Sequence, residues 1–163
     1  YWGFGPTQRL TVTAISMIGA ITGGILFGLL SDRIGRRRSM IIALGCAIAV
    51  IPLWAFAPSL RLLIVGAFLM QFMVQGAWGI IPAHLSELSP DSVRGFLPGF
   101  AYQCGVLVAG SVAYIEALFA ERMSYAMAMS ATAATVFAGA ILITALGREK
   151  RGIRFGGEMI INE

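Results

Sequence analysis

The side chains able to do chemistry in this sequence fall into three sets. The first is a run of charge, Asp32, Arg33, Arg36 and Arg37 around Gly35, answered further along by Glu87 and Arg94. Carboxylates and guanidiniums so arranged make and break ion pairs, but they are no machinery for breaking covalent bonds. The second set is uncharged and sits inside apolar sequence. Gln71, Gln75, Trp78 and Pro82 recur at helical spacing, and Tyr102 and Gln103 follow. Such groups hydrogen-bond either a solute or a neighbouring helix, and both readings stand. The third set is His84, the single histidine, with Cys46 and Cys104. The cysteines have neither CxxC spacing nor metal-ligand company, so both read as small buried hydrophobes. His84 reads as a partner in a structural hydrogen bond. No nucleophile, base and orienting group converge at one depth, so the residues point away from an enzyme and from a bound metal or organic cofactor.

Stepping along the chain shows what must position these groups. Five stretches carry no Asp, Glu, Lys or Arg: 10–31, 39–60, 62–86, 95–115 and 123–147. Only 12% of the 163 residues are charged, against about a quarter in a soluble domain. A hydrocarbon layer about 30 Å thick takes roughly 20 apolar residues per helix, and each stretch is long enough. Backbone polar groups in lipid are satisfied only in helices or closed barrels, and the ten-residue alternation of a barrel strand is missing. The expectation is therefore an all-α integral membrane protein with five transmembrane helices near 10–31, 39–57, 62–84, 92–119 and 123–146. A cytoplasmic tail over 147–163 follows, and residues 1–163 form one membrane domain.

Orientation follows from the cations between the spans. Arg33, Arg36, Arg37, Arg38, Arg94, Arg148, Lys150, Arg151 and Arg154 fall on one side, and only Arg9, Arg61 and Arg122 on the other. The excess marks the first side as cytoplasmic, with the amino terminus outside and the carboxyl terminus inside. It also accounts for the net charge of +4 without nucleic acid as a partner; the partner is the lipid bilayer. An outside start with no basic, signal-like segment is expected to follow an upstream helix.

Smaller signals set the joints. Pro58, Ser59 and Leu60 mark an outer turn. Ser89, Pro90 and Asp91 have the order of a helix cap, first-turn proline and dipole-facing acid, so the fourth helix is expected to begin near Pro90. Glu116 lies near the outer boundary, Glu121 and Arg122 close that end, and Gly147 ends the last span. In the first span Ser16, Ala20, Gly24 and Gly28 repeat every four residues beside Gly19 and Gly23. A small-residue stripe of that kind lets helix backbones approach closely in lipid.

With these residues in place a resemblance becomes legible. Gly28-x-Leu30-x-Asp32-Arg33-x-Gly35-Arg36-Arg37, between two apolar spans on the basic side, resembles the cytoplasmic loop signature of the major facilitator superfamily. His84 through Pro90, continued to Arg94 and Gly95, resembles its second cytoplasmic gate element. The string from Gly76 to Pro82, the segment from His84 to Pro90, Tyr102-Gln103-Cys104-Gly105, Ile115-Glu116-Ala117 and the closing Gly147, Glu149, Lys150, Arg151 and Gly152 are similar to the lactate and pyruvate (monocarboxylate) proton symporters, a group related to sialic acid symporters. Val106 departs from that group, which often has Asn there.

The resemblance implies five helices of a six-helix half in a twelve-helix fold, the eighth to the twelfth, completed by amino-terminal helices of the same protein. It implies proton-coupled symport of a small organic anion by alternating access in a plasma or bacterial inner membrane, with the proton as coupling ion. A cytoplasmic gate would comprise Gly28, Asp32, Arg33, Gly35, Arg36, Arg37, Glu87, Arg94 and Gly95, with Glu87 pairing to Arg36 or Arg37 and with Gly28 and Gly35 permitting the close turn. The resemblance places Gln103 at a position linked with substrate, and the polar side chains inside the spans, Gln71, Gln75, Trp78 and Tyr102, are expected to line the substrate pathway with it. A sugar, sialic acid or aromatic acid porter, and a non-transporting membrane sensor or scaffold, are the other readings.

Overall fold

A computed structural model describes residues 3–149. Among them the chain is helical, with α1 (Pro6–Ile34), α2 (Arg36–Ala55), α3 (Leu60–Leu88), α4 (Leu97–Ala109), α5 (Val112–Ala120) and α6 (Tyr125–Leu146). Five spans are long and apolar enough to cross a membrane, α4 and α5 together forming the fourth, Leu97–Ala120. α1 and α3 each hold 29 residues. At 1.5 Å per residue that is about 43 Å, so both outrun the hydrocarbon layer and carry charge beyond it.

The joints follow from local chemistry. Ser59 caps α3 by accepting from the Leu62 amide at 3.4 Å, and Ser124 caps α6 by accepting from the Met127 amide at 3.3 Å. α1 and α2 are separated by Gly35 alone, at φ 104°, ψ 153°. A side chain there would be strained, so this reversal requires glycine.

Helix contacts rest on small residues. A Cβ on Gly19 would stand 2.5 Å from the Phe68 carbonyl oxygen, and one on Gly23 would overlap the backbone of Phe72. Gly66 meets α2 in the same way, a Cβ there lying 2.9 Å from the Leu53 carbonyl oxygen. In lipid, association gains little from hydrophobic burial, so this backbone proximity carries the α1–α3 and α2–α3 contacts. Phe27, Met40, Ala43, Leu44, Ala77 and Ile80 form one core, and Phe137, Ala140 and Ile141 of α6 pack on it. Ala47, Ile51 and Met70 form a second.

Several sequence expectations are corrected. The buried stripe runs through Ser16, Gly19, Gly23 and Phe27, with Gly24 beside it against Gln75 and Gly79 of α3, rather than along the Ala20–Gly28 line. Gly28 faces open space and is not a point of close approach. Cys46 and Cys104 are exposed, not buried. α1, α2 and α3 run past their charge-free stretches, because a helix continues into the charged border of a membrane.

The fourth span starts at Leu97, not near Pro90. Ser89 does not cap it: its hydroxyl donates to Leu85 O at 2.6 Å within α3, and a 3₁₀ turn, Asp91–Val93, follows. The span is also interrupted at Gly110 and Ser111, where the Ser111 amide turns back to Val108 O at 3.1 Å. The predicted tail beyond Glu149, with Lys150, Arg151, Gly152 and Arg154, lies outside the described residues.

Candidate functional site

The polar groups gather at the end where α1, α3 and α6 stop and α2 and α4 start. This charged end exists because Gly35 reverses the chain so tightly that Ser31 and Asp32, in the last turn of α1, stand beside Arg36, the first residue of α2. The Arg36 guanidinium donates to Asp32 Oδ1 and to Ser31 Oγ, both at 2.6 Å. Its other edge reaches α3, with Nη2 at 3.1 Å from Glu87 Oε1 and Nε at 3.3 Å from both Glu87 oxygens. Glu87 is only 7% exposed and Arg36 14%, whereas Asp32 is 59% exposed. Removing either partner of a pair so enclosed would leave a buried charge uncompensated.

A second exchange joins α2 to the end of α6. Arg37 donates to Thr144 O at 2.8 Å and to Ala145 O, so its cation sits on the carbonyl end of α6. In return, the Glu149 carboxylate accepts from the Arg36 amide at 2.8 Å and the Arg37 amide at 3.1 Å, capping the start of α2. Both contacts pair a charge with the helix terminus of opposite polarity.

The predicted gate residues are thus distributed between different tasks. Of the two arginines proposed for Glu87, Arg36 takes it, and Arg37 serves α6 instead. Arg94 donates to Ser86 O and Ser89 O, both at 3.0 Å, and pairs with Asp91, so it closes the end of α3. Arg33 is exposed in the last turn of α1, and Gly95 is exposed with open space around its Cα. Gly35 is where the reversal needs it.

His84 is expected to make a structural hydrogen bond, and at Nδ1 it makes none. The side chain is 9% exposed, and Nδ1 is buried without a partner. Sequence reasoning also missed Ser31 and the capping role of Glu149. Ser31 is an unspecified position in the loop signature, although its place five residues before Arg36 across a glycine turn was readable. Glu149 caps a helix that begins 113 residues earlier, and no local signal reports that.

The uncharged set divides as well. Trp78 Nε1 donates to Tyr102 Oη at 2.8 Å, and the rings meet edge to face at 5.4 Å. Beside them, Pro82, Ser86, Pro98, Gly99, Tyr102 and Gln103 line an open groove of about 400 Å³ between α3 and α4. Gln71 and Gln75 lie outside that lining: Gln71 Oε1 is buried without a partner, and Gln75 is half-buried where Gly24 approaches its carbonyl. No group of three or more His, Cys, Asp or Glu able to hold a metal occurs among the described residues.

The site thus combines membrane-length helices, an ion-paired end and hydrogen-bonding side chains along an open groove. The family model described as "Sugar (and other) transporter" matches residues 6–148, and the chain belongs to that family, within the major facilitator superfamily. That family is one of transporters, not of enzymes. The chain is 33% identical, over 91% of its length, to a carboxylic acid transporter protein homolog of Saccharomyces cerevisiae, covering 26% of that protein. It is 34% identical, over 90% of its length, to a probable 4-methylmuconolactone transporter of Cupriavidus pinatubonensis, covering 34% of it. A glucose transporter of Staphylococcus epidermidis is 38% identical over 56% of the chain and is covered to 20%. The chain therefore spans about a fifth to a third of these relatives.

Proposed function

We propose that the protein containing this chain is a proton-coupled secondary transporter for a small monocarboxylate such as lactate or pyruvate. The supporting observation is the breadth of similarity: the relative named for carboxylic acids aligns with 91% of the chain, the one named for glucose with 56%. In this reading the chain supplies five helices of the carboxyl-terminal half, and amino-terminal helices of the same protein supply the rest. The charged end faces the cytoplasm. The two halves rock about a midplane site, as repeat-built transporters do.

The ion pairs then act as inner gate elements, with Arg36, Glu87 and Asp32 at their centre and Arg33, Arg37, Arg94, Gly35, Gly28 and Gly95 around them. Exposed pairs contribute only about 0–1 kcal/mol each, whereas the enclosed Glu87 makes the central contact costly to leave half-made. Trp78, Tyr102 and Gln103, with Gln71 and Gln75 deeper in α3, line the solute's path. They carry no fixed charge, so the cation that answers a carboxylate and the group that carries the coupled proton belong to the amino-terminal helices in this reading.

The test is uptake by the full-length protein in proteoliposomes with an inward proton gradient. Labelled lactate or pyruvate should accumulate, and a protonophore should abolish the accumulation. Uptake of glucose, sialic acid or an aromatic acid in its place would replace the substrate assignment. No flux with any of them would favour a sensor or scaffold.

A further inference from the structure

One enclosed titratable side chain has no part in the gate as described. His84 lies one turn before Glu87 on α3, so both project from one face of that helix. Three residues correspond to about 4.5 Å along the axis, which puts His84 one layer deeper than the Arg36–Glu87 pair. Ser39, three residues into α2 from Arg36, is fully buried, and its Oγ, like His84 Nδ1, has no hydrogen-bond partner. An enclosed polar atom without a partner costs about 1–3 kcal/mol, and an aliphatic side chain at residue 84 would avoid it. An imidazole kept in such a place calls for a reason beyond packing.

The surroundings supply one. The charged groups that act on His84 are Arg36 and Arg37 from α2, Glu87 from its own helix and Glu149 from the segment after α6. α1 adds Asp32, by way of Arg36. Both arginines have other acceptors: Arg36 holds Asp32 and Ser31, and Arg37 holds the α6 carbonyls. Glu87 differs, since Arg36 is the partner that its hydrogen bonds and ion pair record.

We propose that His84 is a proton-binding site that controls the Arg36–Glu87 pair. A proton taken from solvent onto the imidazole makes a second cation one turn from Glu87. That cation competes with Arg36 for the carboxylate, while Arg36 falls back on Asp32 and Ser31 without being orphaned. The link between α2 and α3 is intact when His84 is neutral and loosened when it is protonated. The ligand is the proton itself, and acid on this side of the membrane weakens the contact. The inference rests on the gate reading above.

Amide hydrogen exchange of residues 36–44 in the full-length protein, corrected for the intrinsic pH dependence of exchange, tests it. Between pH 8 and pH 5, exchange should accelerate about tenfold, the scale of one charge-assisted hydrogen bond. His84→Gln and His84→Asn, which keep one or the other nitrogen position without the titration, should hold the slow rate throughout. A wild type that does not respond to pH overturns the proposal, as does either folded variant that keeps the wild-type response. Glu87→Gln should exchange fast at both pH values. If Glu87→Gln is instead as slow as wild type at pH 8, the gate reading fails, independently of what His84 does.

Discussion

The charged end and the fourth span divide the molecule into two kinds of surface. At the charged end the ionic side chains that join helices are bound within the chain, although His84 Nδ1 and Ser39 Oγ beneath them are not: Arg36 joins three helices, Arg37 caps α6, Glu149 caps α2, and Arg94 closes α3. Along α4 and α5 no residue is buried, and Gly110 and Ser111 interrupt the helix in mid-span. Two of its polar residues, Tyr102 and Gln103, sit at an open groove rather than in a core. The difference teaches where polar groups serve stability and where they stay open. One region spends its polar chemistry on holding α1, α2, α3 and α6 in register, and the other keeps its own available.

The sharpest way to break that contrast is to remove the enclosed carboxylate. Glu87→Ala leaves Arg36 with Asp32 and Ser31 but strips its enclosed side of a counter-charge. The expected loss is about 3–5 kcal/mol, read as a lowered unfolding midpoint of the full-length protein in detergent. A loss under 1 kcal/mol would mean that the pair behaves as a surface contact. The charged end would then not differ in kind from the rest of the molecule.

A smaller effect is expected at Glu149, because a cap contributes less than a buried pair. Glu149→Gln keeps an acceptor for the Arg36 and Arg37 amides but removes the charge that faces the start of α2. A loss of about 0.3–1 kcal/mol is expected, shrinking as salt is added. Thermal unfolding at low and high ionic strength checks both the size and the salt dependence. A loss that salt leaves unchanged would assign the contact to geometry rather than to charge.

The two regions also differed in how far the sequence announced them. Five helices were legible because lipid thickness imposes a length that charge-free stretches reveal directly. Their ends were not, since Asp32, Glu87 and His84 lie on helices that continue past the apolar layer. The contact of Glu87 with Arg36 or Arg37 was legible from opposite charges at one predicted depth, and the role of Asp32 from the loop's resemblance to the superfamily signature. The cap by Glu149 was not, since it depends on two helix ends meeting in space. At the fourth span, Gly110 and Ser111 read as ordinary small residues, and Ser89 and Pro90 mimicked a helix start. His84 looked ordinary until its burial was seen.

The smallest expected stability effect belongs to the groove, and there the contrast is sharpened. Tyr102 accepts from Trp78 Nε1, which leaves its own hydroxyl proton free to donate, and the phenol is half-buried rather than enclosed. Tyr102→Phe keeps the edge-to-face ring contact and deletes only the hydrogen bond. Interhelical hydrogen bonds in membranes average about 0.6 kcal/mol, so unfolding should shift by no more than that. If the groove lies on the solute's path, the same substitution should raise KM for uptake several-fold, because a lost donor to a bound solute costs about 0.5–1.5 kcal/mol. A variant with the reverse pattern, clearly destabilised and with KM unchanged, would make Tyr102 a brace between α3 and α4. It would also move recognition away from the open span.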